Sequence, residues 1–421
     1  MKSLFDKAYY FGLLLIFLIS FFPIFYNINR YTNTFVIYAF AIFFIIKFII
    51  QDEKFRINRS RLRIYSFLIF WIIYSLFTLV WAKNIKLTML HTHYISLFFI
   101  TFFIFTQSFR SKKYLNIFYY SLIGIFFLYQ ILAIWELTTL QHLPTSSAGH
   151  NGTFSFVPFG PFYNRNDMAA VLLMLSPLVL FRIHISKNII IKTIGIISLI
   201  FLFVMNTLSG SRIALLFIVL EFSIYFLFFI KFKNKIRLIL SVVTILFLIK
   251  MSYTKEFQFF KLFLQNQYNS IQSESESYKT SSIKIRKALF YESIDLSLES
   301  GFLGVGAGNY ISEMNGVRSK RTNGVKAAHN FLLELLSEYG LLLTLIMVYI
   351  LIRWGIDLII ILKKTTGENR FIAYSCLFSL LLFIPASILP SSIIKYSFYW
   401  IIFAYIHLFI EQNLYLIDKE K

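Results

Sequence analysis

NTFVIYAFAIFFIIKFIIQDEKFRINRSRLR, residues 33–63, decides the class of fold. Up to Ile50 it carries one charge, Lys47, and it is long enough to cross a hydrocarbon core as a helix, which takes about 20 residues. Lys54, Arg56, Arg59, Arg61 and Arg63 then crowd one short connection. An apolar run that ends in a basic connection is the pattern of a membrane-crossing helix whose end lies in the cytoplasm.

Working outward, the pattern repeats over the 421 residues, of which 58% are hydrophobic, 19% aromatic and only 14% charged. A soluble domain carries roughly 25% charged residues, so this chain could not cover itself with polar surface in water. Besides 33–50, spans are expected near 8–26, 64–82, 92–109, 115–137, 167–184, 188–206, 211–230, 236–251, 330–352, 371–389 and 396–416. The expected fold is all-α: a polytopic membrane protein of about 12 helices, since helix satisfies the backbone within lipid.

The net charge of +21 is a topology signal. After the first basic connection come Arg110, Lys112 and Lys113, then Arg182, Lys187 and Lys192, then Lys231, Lys233, Lys235 and Arg237, and last Arg353, Lys363, Lys364 and Arg370. These fall in alternate loops, which puts those loops and both termini in the cytoplasm. No basic stripe with interleaved aromatics lies in a soluble segment, so no nucleic-acid partner is expected. The one cysteine, Cys376, falls in a span and excludes an internal disulfide. The first apolar run lacks a small-residue cleavage site and reads as a retained helix.

Two outer loops stand out. Residues 138–166 are rich in Gly, Pro and aromatics. Residues 252–328 alone are long enough for a small, partly helical extracytoplasmic subdomain, dividing the chain into 1–251, 252–328 and 329–421. In this loop the Ser-rich stretch Asn269–Ser282 reads as a linker. Ile283–Leu298 reads as a helix with Ile283, Lys287, Phe290, Ile294 and Leu298 on one face. GFLGVGAGNY, residues 301–310, follows; no strand precedes it and no Gly-Lys-Ser/Thr follows, so it is a tight outer loop near a glycan, with Gly306, Gly308 and Asn309 as candidate contacts, and not a nucleotide loop.

The sixth, eighth and tenth spans all present their N-termini to the outer face, where free N–H groups and the helix dipole favour an anion. Arg165 and Asn166 (FYNRND) begin the sixth, Arg212 (SGSR) the eighth, and His329 and Asn330 (AAHN) the tenth; Arg286 lies in the large loop. Guanidinium groups there suit a phosphate or diphosphate, which they bind bidentately. The ordinary alternative is an interfacial arginine that reaches for headgroups. Asn330 suits a helix cap, and Gly340, about three turns from His329 on the same face, leaves room for a neighbouring helix. Glu334 and Glu338 either pair with arginines or solvate an interhelical gap. Neither H-E-x-x-H nor Cys/His spacing occurs in the outer segments, so no metal and no cofactor is expected.

FYNRNDMAAVL, TLSGSRIALL, the Arg286 helix with GFLGVGAGNY, and HNFLLELLSEYG occur in an order that resembles the O-antigen ligase and polymerase superfamily of bacterial surface polysaccharide assembly, over roughly residues 160–345. Its ligase pattern of His, then Asn, Ser or Gln, nine residues, Gly, two residues and Gly, Thr or Tyr holds through Gly340. It departs at Leu343, with Thr344 one position late. The resemblance implies an inverting, metal-independent glycosyltransferase of the bacterial plasma membrane. It implies a glycan donor on undecaprenyl diphosphate and an acceptor that is a lipid A core sugar, a lipid-linked repeat or a protein hydroxyl. On that reading His329 orients or deprotonates the acceptor, and Arg212, Arg165 and Arg286 hold the diphosphate. A twelve-helix flippase is the alternative, but it predicts repeated halves and midplane charges, and here the large loop has no counterpart in the first half.

Overall fold

The computed structural model describes residues 2–22, 32–51, 54–109, 111–147, 157–230 and 282–419. Among them the fold is all-helical. In order the helices are α1 (Lys2–Phe21), α2 (Thr32–Ile50), α3 (Arg59–Phe77), α4 (Ile85–Ser108), α5 (Lys112–Thr139), α6 (Arg165–Ile185), α7 (Ile189–Leu208), α8 (Arg212–Phe229), α9 (Ser282–Glu299), α10 (Tyr310–Glu313), α11 (Val317–Arg321), α12 (Phe331–Lys364), α13 (Gly367–Ala386) and α14 (Phe398–Lys419). Nine of the described helices, α3 to α8 and α12 to α14, are long and apolar enough to cross a membrane, and α1 and α2 are further apolar helices. The expected span at 236–251, the basic set Lys231–Arg237 and the linker up to residue 281 lie outside the described residues.

Short polar side chains start these helices. Asn58, Asn84, Ser111, Asn164, Asn188 and Asn330 each accept a bond from a first-turn N–H, replacing a partner that the helix cannot supply. The fourth span starts at Ile85, seven residues before the expected 92, because the Asn84 cap sits there. Helix α6 is the axis of the bundle, buried from Asp167 to Phe181 without interruption, and it packs most extensively along α13. Pro177 frees the Leu173 carbonyl within α6, which the Ser176 hydroxyl reaches at 3.0 Å, while Ser379 of α13 donates to the Met174 carbonyl at 2.8 Å. Helices α5, α7 and α8 also pack on α6, and α14 packs on α4, α5 and α12.

Short turns make successive helices antiparallel and give the bundle two distinct ends. At one end Arg182 pairs with Glu368 (3.1 Å), Arg61 with Glu411 (2.7 Å) and Lys47 with Asp6 (4.0 Å). This basic end holds the described Lys/Arg connections and the first and last described residues. The opposite end carries the N-termini of α6, α8 and α12 and the connection 387–397.

Two expectations about the large loop and its junction need correction. Helix α9 buries Leu289, Glu292, Ser293, Leu296 and Ser297, whereas Lys287, Phe290 and Leu298 of the expected face are exposed. Leu289 and Leu296 join Tyr310, Met314 and Ala328 in a small separate core, and Glu292, itself buried, holds Arg318 (3.1 Å) and Arg321 (3.2 Å). Second, among the described residues the atoms nearest Gly340 belong to the loop at Phe302 and Leu303 and not to a neighbouring helix. The helix itself opens there, with φ +81° and ψ 179°, and the loop 302–306 docks into the gap. Leu341 N–H donates to the Phe302 carbonyl (2.9 Å) and Val305 N–H to the Ser337 carbonyl (2.8 Å). A Cβ at Gly340 would stand 2.3 Å from the Phe302 carbonyl oxygen, so side chain and backbone conformation both demand glycine. Thr344, rather than Leu343, serves the break: its hydroxyl donates to the Gly340 carbonyl (2.8 Å), and Leu343 packs in the core.

Candidate functional site

His329 sits one residue before the cap of α12 in a left-handed conformation (φ +49°), uncommon for a residue with a side chain. Asn330 fixes it there, because its Oδ1 accepts from Leu332 N–H (3.0 Å) and Leu333 N–H (3.2 Å). The ring lies against the Pro390 carbonyl, and burial together with the Arg286 guanidinium lowers its pKa to about 4. The ring is therefore neutral at pH 7, and its buried Nδ1 has no hydrogen-bond partner among the described residues. Arg286, on α9, is likewise half-buried, its pKa lowered by desolvation, with a buried Nη1 that lacks a partner among the same residues. A neutral base and an underused guanidinium thus act on one another.

The connection 387–397 touches this pair and its neighbours. It supplies the Pro390 carbonyl to His329, and Ser392 hydrogen-bonds the buried carboxylate of Glu334. Tyr396 donates to Asp167 Oδ2 at 2.5 Å, which ties the first turn of α6 to the same connection. The exposed Lys395 acts electrostatically on His329, Asp167, Glu334 and His91 together. Sequence reasoning passed over Asp167, Lys395 and Tyr396. An acid in the first turn of an apolar helix was the available signal for Asp167, which is 4% exposed with Oδ1 unpartnered among the described residues.

Arg165 and Asn166 open α6 and are half-buried; Asn166 N–H is bound by the Asn164 side chain at 3.0 Å. Arg212 opens α8, exposed, just after the turn at Gly210 (φ +66°). The turn between α7 and α8 lies at the same end of the bundle as Arg165 and His329. The structure thus brings His329, Arg286 and Asn330 into one cluster, sets Arg165 and Asn166 beside it through Asp167 and Tyr396, and leaves Arg212 at the same end on α8.

The glycine loop is sewn to the bundle. Glu338, 2% exposed, accepts from Gly308 N–H (2.8 Å) and Tyr310 N–H (3.3 Å), and His91 Nδ1 lies 3.3 Å from the same carboxylate. Glu334 and Glu338 therefore bind a hydroxyl and a loop; neither is paired with an arginine in these contacts. Trp81 donates to the Gly304 carbonyl (2.8 Å) and Tyr74 to the Leu303 carbonyl (2.7 Å). A Cβ at Gly308 would meet His91 at 2.6 Å, and one at Gly306 would meet Ala82 at 2.8 Å. Asn309 is fully buried: its Oδ1 accepts from Asn84 N–H (2.7 Å) and its Nδ2 donates to Thr88 (2.8 Å). In this structure Gly306, Gly308 and Asn309 fasten the loop to the α3–α4 turn and the start of α4.

Residues 197–348 match the family model described as O-Antigen ligase. That stretch holds Arg212, Arg286, the glycine loop, His329 and Asn330, with Arg165 upstream of it. The chain is also similar to the teichuronic acid biosynthesis protein TuaE of Bacillus subtilis (strain 168), 26% identical over 346 residues, which cover 80% of this chain and 69% of that one. Both findings support the O-antigen ligase superfamily, and nine of the described helices are long and apolar enough to cross a membrane.

Proposed function

We propose, from the O-antigen ligase superfamily that these comparisons support, that the protein is a glycosyltransferase taking a glycan from undecaprenyl diphosphate to an acceptor hydroxyl on the outer face of the plasma membrane. The observation that carries the reading is the neutral Nδ1 of His329, unpartnered among the described residues, beside the underused guanidinium of Arg286, at the end of the bundle opposite the basic connections. That basic end is cytoplasmic by the positive-inside rule, which sets the site outside.

The chemistry follows from those groups. His329 Nδ1 takes the proton of the acceptor hydroxyl as its oxygen attacks the anomeric carbon from the face opposite the diphosphate. The carbon–oxygen bond to the phosphate breaks, the diphosphate leaves with the electron pair, and the configuration inverts. Charge grows on the leaving group, so the main demand is electrostatic, and Arg286, Arg165 and Arg212 with the N-termini of α6 and α8 meet it. Neither a metal nor a cofactor is needed for these steps. Ligase, polymerase and protein-directed transferase differ only in the acceptor, and the role printed for the Bacillus relative supports a polysaccharide product.

His329→Ala and Arg212→Ala, assayed in membranes given lipid-linked glycan, are expected to cut transfer by about 10²- to 10⁴-fold and 10²- to 10³-fold respectively, with protein level unchanged. Full activity in either variant refutes its role. Movement of lipid-linked glycan across vesicles without new glycosidic bonds would make the protein a flippase instead.

A further inference from the structure

Helix α9 buries one side, and the side it leaves open is largely apolar. Lys287, Tyr291, Ile294 and Leu298 recur at intervals of four, three and four residues, which stacks them on one face, with Phe290 beside them. Phe290, Tyr291 and Leu298 are exposed, and so are Phe302 and Leu303 just past the end of the helix. Single apolar side chains are ordinary on a surface that meets water, but five that run together from a helix into the following turn call for a partner. The opposite side of α9 holds Leu289 and Leu296 in the small core and Glu292 on Arg318 and Arg321, so the apolar face points away from α11.

What the face meets follows from where it ends. The Leu303 carbonyl accepts from the Tyr74 hydroxyl of α3 (2.7 Å), and the Phe302 carbonyl accepts from Leu341 N–H of α12 (2.9 Å). Both residues therefore lie against helices long and apolar enough to cross a membrane. Near those contacts Phe77 and Val80 at the end of the α3 span, and Leu341, Leu342 and Leu345 on α12, are exposed, and in a span such side chains face lipid. The lipid-facing surface of the bundle thus continues through Phe302 and Leu303 onto α9. Trp81, edge-to-face with Tyr74 and Phe77, stands at the same level, as tryptophan and tyrosine do at the membrane–water interface.

We propose that this face of α9, with Phe302 and Leu303, is seated in the bilayer leaflet on the side of the His329 cluster, its C-terminal end deeper than its start. The chemistry changes along the helix in that sense. Near the start the Lys287 ammonium lies 6.0 Å from the centre of the Tyr291 ring, and a cation with a phenol suits headgroup level. Towards the end come Ile294, Leu298, Phe302 and Leu303, which suit hydrocarbon; Asp295 stands at the margin of the face, and Glu299 is held by Arg318. Because α9 also carries Arg286, its depth fixes the height of that guanidinium above the hydrocarbon. The inference rests on exposure and apolar continuity and stands apart from the proposed reaction.

The full chain with Cys376→Ser is given one new cysteine, as Phe290→Cys, Leu298→Cys or Lys320→Cys, labelled there with a fluorophore and placed in nanodiscs of phosphatidylethanolamine and phosphatidylglycerol. Lipid bearing a doxyl group should quench the dye strongly at Leu298, less at Phe290 and hardly at Lys320, and iodide in the water should quench in the reverse order. Iodide quenching at Leu298 equal to that at Lys320 puts the face in water and overturns the proposal. Protection from both quenchers at Leu298 means that a second copy of the chain covers the face, which overturns it too, as does lipid quenching at Lys320 equal to that at Leu298. A second measurement needs no label. Leu298→Asp changes an exposed side chain, yet it should lose hydrogen-exchange protection across α9 in nanodiscs, while Leu298→Trp should keep it. Wild-type exchange in Leu298→Asp overturns the proposal.

Discussion

His329 holds its proton only near pH 4, because burial and the Arg286 guanidinium both disfavour the imidazolium. Transfer should therefore stay on its plateau well below pH 6.5 and fall on an acid limb near 4. In Arg286→Gln that limb should move up towards 6.5, as a pH–rate profile of the variant will report. The linked stability has a definite sign. An unfolded histidine takes its proton from about 6.5 downward and the folded one waits until about 4, so between those values the unfolded chain holds more protons and stability falls as pH drops. Melts of His329→Gln should lose that part of the pH dependence. Tyr396→Phe removes the bond to Asp167 and leaves a buried carboxylate with less support, which costs about 1–3 kcal/mol. At this scale the sequence reading named His329, Arg286, Arg165 and Arg212, because a base or a cation at or near a helix start is conspicuous. It passed over Lys395 and Tyr396, which lie in a short apolar connection and acquire meaning only when 387–397 folds over α6 and α12.

The break at Gly340 is the element on which the site stands. Gly340→Ala meets a carbonyl oxygen at 2.3 Å and a positive φ, and the φ term alone is about 1–2 kcal/mol. A lowered melting temperature and early tryptic cleavage are expected, and a wild-type melt would remove the break from the account. Glu338→Ala strands the N–H groups of Gly308 and Tyr310 inside the protein, at about 1–3 kcal/mol each, and should expose the glycine loop to hydrogen exchange. Apolar runs made the spans readable, since a crossing helix needs little beyond length and hydropathy. The break was not readable in the same way. Its glycine was visible, but the partner, residues 302–306, is more than thirty positions upstream, and no local pattern names it. The face of α9 was misjudged for a related reason: its buried side carries Glu292, Ser293 and Ser297, polar residues that dilute the apolar period, with Glu292 held by Arg318 and Ser293 by the Leu289 carbonyl.

Across the whole molecule, charge and hydropathy agree on one orientation. The single cysteine makes this checkable, since Cys376 is fully buried and should not react with a maleimide that cannot cross membranes. A cysteine put at the exposed Lys320 should label in intact cells, and one at the exposed Lys113 only after the membrane is opened. The reverse pattern would turn the protein over and remove the site from the outer face. The open seam in α12 also has a mechanical meaning. Backbone from upstream of the cap, at Phe302, Val305 and Gly306, is stitched into backbone downstream of it, at Leu341, Ser337 and Glu338. Peptide continuity between residues 310 and 330 is thus redundant for holding the two sides together. A chain clipped by trypsin at Lys320 should still migrate as one particle in mild detergent, and should come apart into two fragments only when denatured.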